Sequence, residues 1–167
     1  FTEHYGNPSS VYGFAAANKE VIIRQREIIA GVLGAKDNEI YFTAGGTESD
    51  NWALIATAEA YAAKGKHIIT SKIEHHAVLH TCEYLQRQGY EVTYLDVDEN
   101  GLVDPKAVEA AIRPDTILIS VMFANNEIGT IQPIAEMGKI AHEHGVLFHT
   151  DAVQAFAQIP INVDEYN

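Results

Sequence analysis

Asp151 follows the apolar run Val146-Leu147-Phe148, so its carboxylate is expected at the carboxyl end of a strand, with little water around it. A carboxylate in that setting needs a cation. A protonated pyridinium nitrogen is one candidate, and such a pair would hold the ring as an electron sink. The alternative is an Asp that caps a turn. Gln154, three residues on, falls on the same side if a helical turn begins there. Gly45-Gly46-Thr47 lies between a strand candidate and a helix start, where free N–H groups and the helix dipole favour an anion. The two glycines would let the backbone approach a phosphate, and the Thr47 hydroxyl would add a donor. The plainer alternative is a glycine turn with Thr47 as helix N-cap. The stretch matches neither the dinucleotide fingerprint nor the nucleotide P-loop, whose lysine is missing.

His75 and His76 follow Glu74 after the apolar pair Ile68-Ile69. A histidine there can stack on an aromatic ring, move protons or cap the next helix. His76 and His80 have i, i+4 spacing, but no HExxH motif is present and the lone Cys82 offers no CxxC, so no metal site is read. Asn125-Asn126 closes the run Ile117 to Phe123. These residues either form a turn or offer amides to a ring hydroxyl or a carboxylate. Cys82 sits in a helical pattern and reads as a small core residue, and His142 and His144 read as solvated surface.

Alternating elements must position these groups. The spacing predicts helices over Asn18–Leu33, Ser49–Lys64, Ala77–Gln88, Asp104–Ile112 and Ile134–His144, several ending at glycine. It predicts strands over Glu39–Thr43, His67–Thr70, Glu91–Leu95, Thr116–Phe123 and Val146–Thr150. Strands separated by helices of this length imply right-handed crossovers, hence an α/β fold with a mostly parallel sheet and helices on both faces. Ligands of such sheets bind outside the carboxyl ends of the strands, where the polar clusters fall.

At 167 residues the chain fits one domain. Its 11 basic and 23 acidic residues give a net charge of −12, which argues against nucleic-acid or anionic-membrane partners. No apolar run approaches a membrane span. A single cysteine excludes an intrachain disulfide and points to a reducing, cytoplasmic compartment. The chain starts at Phe1 without a targeting signal and reads as a piece beginning inside a longer protein.

Five stretches together resemble the cysteine desulfurases, fold-type I pyridoxal-phosphate enzymes grouped with the class V aminotransferases: Tyr5–Ser10, Phe42–Ser49, Glu74-His75, Asn125–Gly129 and His149–Gln154. The resemblance implies that this is the large, cofactor-binding domain of such a transferase, in part, over residues 1–167. It implies that Gly46 and Thr47 hold the cofactor phosphate and that His75 stacks on the ring and assists proton transfer as the catalytic candidate. Asp151 would pair with the ring nitrogen, Gln154 with the phenolic oxygen, and Asn126 would contact cofactor and substrate carboxylate. The activity implied is conversion of L-cysteine to L-alanine in a homodimer, with sulfur passed through an enzyme persulfide to an acceptor or scaffold protein for iron–sulfur cluster assembly or other sulfur transfer. A selenocysteine lyase, another class V aminotransferase or a non-catalytic dimerisation module would use the same scaffold. Where the family often has a histidine, this chain has Tyr12, which receives no role. The family's Schiff-base lysine, its persulfide-forming cysteine and its small domain have no counterpart before Asn167, so the chain alone is expected to be inactive.

Overall fold

The computed structural model describes residues 6–167, so Tyr5 of the first matching stretch lies outside the described residues. The chain divides into two compact units, residues 1–42 with 160–164, and residues 43–159 with 165–167. In the first, helix α1 spans Gly13–Leu33, five residues longer at its start than the apolar spacing predicts. It stops at Gly34, whose φ of 69° is left-handed, a conformation that favours glycine. The Leu33 carbonyl then accepts from the Val163 N–H at 2.8 Å.

The strand expected over Glu39–Thr43 does not form. Asp37–Glu39 closes a 3-10 turn instead, with the Lys36 N–H donating to the Glu39 carboxylate at 2.8 Å. Tyr41 and Phe42 are exposed and join no ladder. Aromatic residues at a turn flank imitate strand alternation without a neighbouring strand to pair with.

The second unit holds the remaining elements: α2 (Gly46–Ala60), β1 (His67–Ser71), α3 (His76–Arg87), β2 (Glu91–Leu95), α4 (Pro105–Ala111), β3 (Thr116–Ser120), α5 (Ile134–Glu143) and β4 (Leu147–His149). The four strands form one parallel sheet in the order β2-β1-β3-β4. The central strands β1 and β3 are buried at every position, as continuous apolar runs covered on both faces require. The edge strands β2 and β4 are partly exposed. Helices α2 and α3 pack together, as do α4 and α5. Right-handed crossovers to opposite sides of β1 put these pairs on opposite faces. Leu54 and Ala58 of α2, Val78, Cys82 and Leu85 of α3, and Ile68 and Ile117 of the sheet close one core.

Helix α2 begins three residues before the predicted start and ends at Ala60; a turn carries the chain to Gly65. Gly65 is pressed against the Asp115 backbone carbonyl at the entry to β3, so its role is close approach rather than helix termination. The regular part of β3 ends at Ser120, short of the predicted Phe123. Beyond it the Val121 N–H still donates to the His149 carbonyl, and the Phe123 N–H to the Asp151 carbonyl. The sheet reverses its winding between β1 and β3, which opens a crevice at their carboxyl ends.

Candidate active site

The crevice holds a cavity of about 220 Å³, lined by Gly46, Thr47 and Asp50 from α2, His75 from the loop after β1, Met122, Ala124 and Asn126 from beyond β3, and Asp151, Val153 and Gln154 from beyond β4. All six residues singled out from the sequence for cofactor contact therefore meet at one place. A larger, open hollow of about 800 Å³ runs along α2 past Trp52, Ile55 and Glu59, sharing only Gly46 and Thr47 with the smaller cavity. The convergent titratable groups are in the smaller one.

At the α2 end, the N-cap is Gly45, not Thr47, which stands inside the first turn. The first helical N–H groups lack intrahelical partners and point off the end of the helix. A side chain on Gly46 would lie 2.7 Å from the Val153 methyl Cγ2, whereas one on Gly45 would meet nothing within 4 Å. Of the two glycines, packing demands only Gly46. The Ala44 N–H is taken by the Glu48 carboxylate at 2.6 Å, which fixes the entry to the helix.

His75 is the N-cap of α3, and its Nδ1 accepts from the Ala77 N–H at 3.1 Å. That bond commits Nδ1 as an acceptor, so the proton of the neutral ring resides on Nε2. The ring itself is exposed at the cavity wall. Beside it, Glu74 is 5% exposed and straps the loop to the sheet. Its Oε1 accepts from the Ser71 hydroxyl at 2.5 Å and from the Met122 N–H at 3.0 Å, while Oε2 is buried without a partner. Burial pushes the Glu74 carboxyl up to about 7, against the opposing effect of those two donors.

The two asparagines have separate jobs. Asn125 is buried; its amide donates to the Ile73 carbonyl at 2.9 Å, and its oxygen accepts from the N–H groups of Glu127 and Ile128. It is the turn former. Asn126 is exposed and faces the cavity. Asp151 is 8% exposed, with Oδ1 accepting from the Val153 N–H at 3.0 Å. Gln154 is exposed on the turn that follows. His76 and His80 stack on each other at 5.3 Å on the exposed side of α3, and Cys82 is fully buried.

Sequence reasoning missed Asp50 and gave His149 no role. Asp50 is 4% exposed, and burial first, then the charge of Asp151, push it up to about 7. Its Oδ1 lies 3.6 Å from Nε2 of His149, whose Nδ1 bonds the Ser120 hydroxyl at 2.9 Å. Burial pushes His149 down to about 4. The contact is therefore not an ion pair at neutral pH, because burial keeps His149 neutral. A signal for Asp50 was present: it shares a helical face with buried Leu54 and Ala58, four and eight residues on.

The family model for aminotransferase class-V matches residues 1–167. The chain is 61% identical over 166 residues to a cysteine desulfurase IscS of Methanosarcina thermophila, covering 99% of this chain and 41% of that protein. Against the IscS of Dictyoglomus turgidum the identity is 57%, covering 98% and 41% respectively. A solved structure of SspA in complex with cysteine superposes with a TM-score of 0.96 at 44% identity, covering 99% of this chain and 48% of that one. A NifS-like protein gives 0.93 at 41% identity, covering 98% and 45%. The chain thus spans less than half the length of these relatives. With its whole described length matching in sequence and in a parallel sheet of the same kind, the chain belongs to the aminotransferase class-V family.

Proposed function

We propose that this chain is the cofactor-binding part of a pyridoxal-phosphate-dependent cysteine desulfurase that converts L-cysteine to L-alanine and passes sulfur to an acceptor protein. The observation that carries the reading is the convergence of Gly46, Thr47, His75, Asn126, Asp151 and Gln154 on one cavity at the carboxyl edge of the sheet. The donor set fits the cofactor's chemistry. Gly46 and Thr47 present a helix N-terminus and a hydroxyl, suited to a phosphate. Asp151 is a buried carboxylate that calls for a cation. Among the described residues no lysine or arginine lines the cavity to supply one, and a ring nitrogen bearing a proton would. When bound, pyridoxal phosphate supplies an electron sink for the substrate's bond cleavage.

The chain's own residues have these tasks. Asp151 places its carboxyl group in the cavity wall, held in orientation by the Val153 N–H. His75 offers its ring at the wall, with Nε2 free to carry or move a proton because Nδ1 is engaged. Asn126 and Gln154 offer amides at the open side. Met122, Ala124 and Val153 supply apolar wall that excludes water. L-cysteine as substrate is supported by the relatives' names and by the cysteine complex of SspA. The reading extends to a homodimer in the cytoplasm. The lone, buried Cys82 agrees with that compartment, and among the described residues no helix is long and apolar enough to cross a membrane.

The test is Asp151→Asn in the full-length protein. The variant should still bind the cofactor but form alanine ~100-fold more slowly, the kinetic equivalent of ~3 kcal/mol lost from a buried charge pair. Alanine formation near the wild-type rate would refute the assignment.

A further inference from the structure

Asp50 is a buried acid in the wall of the cavity, and the functional reading above leaves it without a task. One carboxylate oxygen of Asp50, one of Asp151 and one ring nitrogen of His75 lie within 4.8 Å of one another. Both acids are nearly inaccessible, at 4% and 8% exposure. Among the described residues no lysine or arginine lines the cavity. The groups facing Asp50 from neighbouring elements are His149 at the end of β4, Glu74 and His75 on the loop into α3, and Asp151 beyond β4. Asp151 opposes a second negative charge, and Glu74 is a further buried acid. His149 is held neutral by burial and offers a dipole rather than a charge. In a dry wall the nearby charge of Asp151 opposes ionisation of Asp50.

We propose that Asp50 and Asp151 form an acid pair in which Asp50 holds a proton while no cation faces Asp151, and releases it to solvent when a cationic ring is seated there. Asp50 is then a positioning residue that sets the pH range over which the cofactor loads. The coupling to cofactor rests on the functional reading above; the proton on Asp50 rests on its burial and its closeness to Asp151. The upward push on Asp50, whose second cause is Asp151, agrees with it.

The experiment has two arms on the full-length protein. In the first, cofactor-free protein carrying ¹³C-labelled aspartate is titrated by NMR. One carboxyl should titrate near pH 7, and Asp151→Asn should move that midpoint to lower pH. In the second arm, pyridoxal phosphate affinity is measured against pH for wild type and Asp50→Asn. The cofactor's own titrations cancel in the ratio of the two affinities. That ratio should rise about tenfold or more between about pH 5 and about pH 8, in favour of wild type. Absence of a near-neutral aspartate, with cofactor still bound, overturns the pair and leaves the cofactor reading standing. A ratio that stays flat with pH overturns the coupling. An Asp50 that titrates as expected in protein that binds no cofactor at any pH overturns the cofactor reading and the coupling, while the proton on Asp50 stands.

Discussion

Glu74→Gln should leave the protein nearly as stable as wild type in acid and make it the more stable of the two in mild alkali. In the folded protein the Glu74 carboxyl is pushed from 4.5 to about 7, because it is 5% exposed and its Oε2 meets no donor. The folded state therefore holds this proton more tightly than the unfolded chain does. The resulting stability is complete below about pH 4.5 and is lost as pH rises to about 7. The shift corresponds to ~3 kcal/mol. Glutamine does not titrate, and its oxygen can keep the Ser71 and Met122 donors while its amide occupies the place of the protonated Oε2. Urea unfolding of the cofactor-free protein checks this at a series of pH values, taking the difference between variant and wild type so that other groups cancel. The difference should swing toward the variant by ~3 kcal/mol across that window, or about 1–2 M in midpoint. A flat difference would mean that Glu74 ionises normally and that water or a cation reaches Oε2, contrary to the strap described above.

Gly46→Ala drives a methyl against the Val153 side chain and should weaken cofactor binding and cost ~1–3 kcal/mol of stability; Val153→Ala added to it should restore most of both, as a double-mutant cycle would read. His75→Asn should keep the α3 cap, since asparagine accepts from the same N–H, so its melting temperature should stay close to wild type while alanine formation falls; His75→Ala should lose ~1 kcal/mol of stability as well. Cys82 is fully buried with its thiol pushed up to about 12 by burial, so disulfide reagents should modify it only at the rate of unfolding, and fast labelling of folded protein would contradict the core placement.

The sequence was most readable where local physics and tertiary packing agree. The run Thr116–Ser120 is apolar on both faces because β3 is covered on both, and Glu91–Leu95 alternates because β2 is an edge. The end of α1 at Gly34 was legible for the same kind of reason, a left-handed residue that glycine adopts without strain. The false strand at Glu39–Thr43 shows the opposite case, since nothing in that stretch reveals that no neighbour pairs with it. For the site, strand-end positions were enough to collect Thr47, His75, Asn126, Asp151 and Gln154. They were not enough to separate Asn125 from Asn126, because identical adjacent side chains differ only in which way the turn points them. Asp50 was missed because a carboxylate in an Ala-rich helix reads as solvated unless its partners on the buried face, Leu54 and Ala58, are counted with it.

The strand order β2-β1-β3-β4 also dictates when the cavity can come into existence as the chain folds. Its walls come from α2, from the loop after β1, from beyond β3 and from beyond β4, segments separated by most of the second unit. Among the described residues β4 pairs only with β3, and β3 must first slot in beside β1. Each of these contacts closes a long loop before it yields any binding surface. An intermediate holding only β1, β2 and α3 has His75 but neither Asp151 nor Gln154, and so has no place for a ligand. The cavity therefore arrives all at once with β4, and a ligand bound in it can slow the undoing of that step but cannot guide the steps before it.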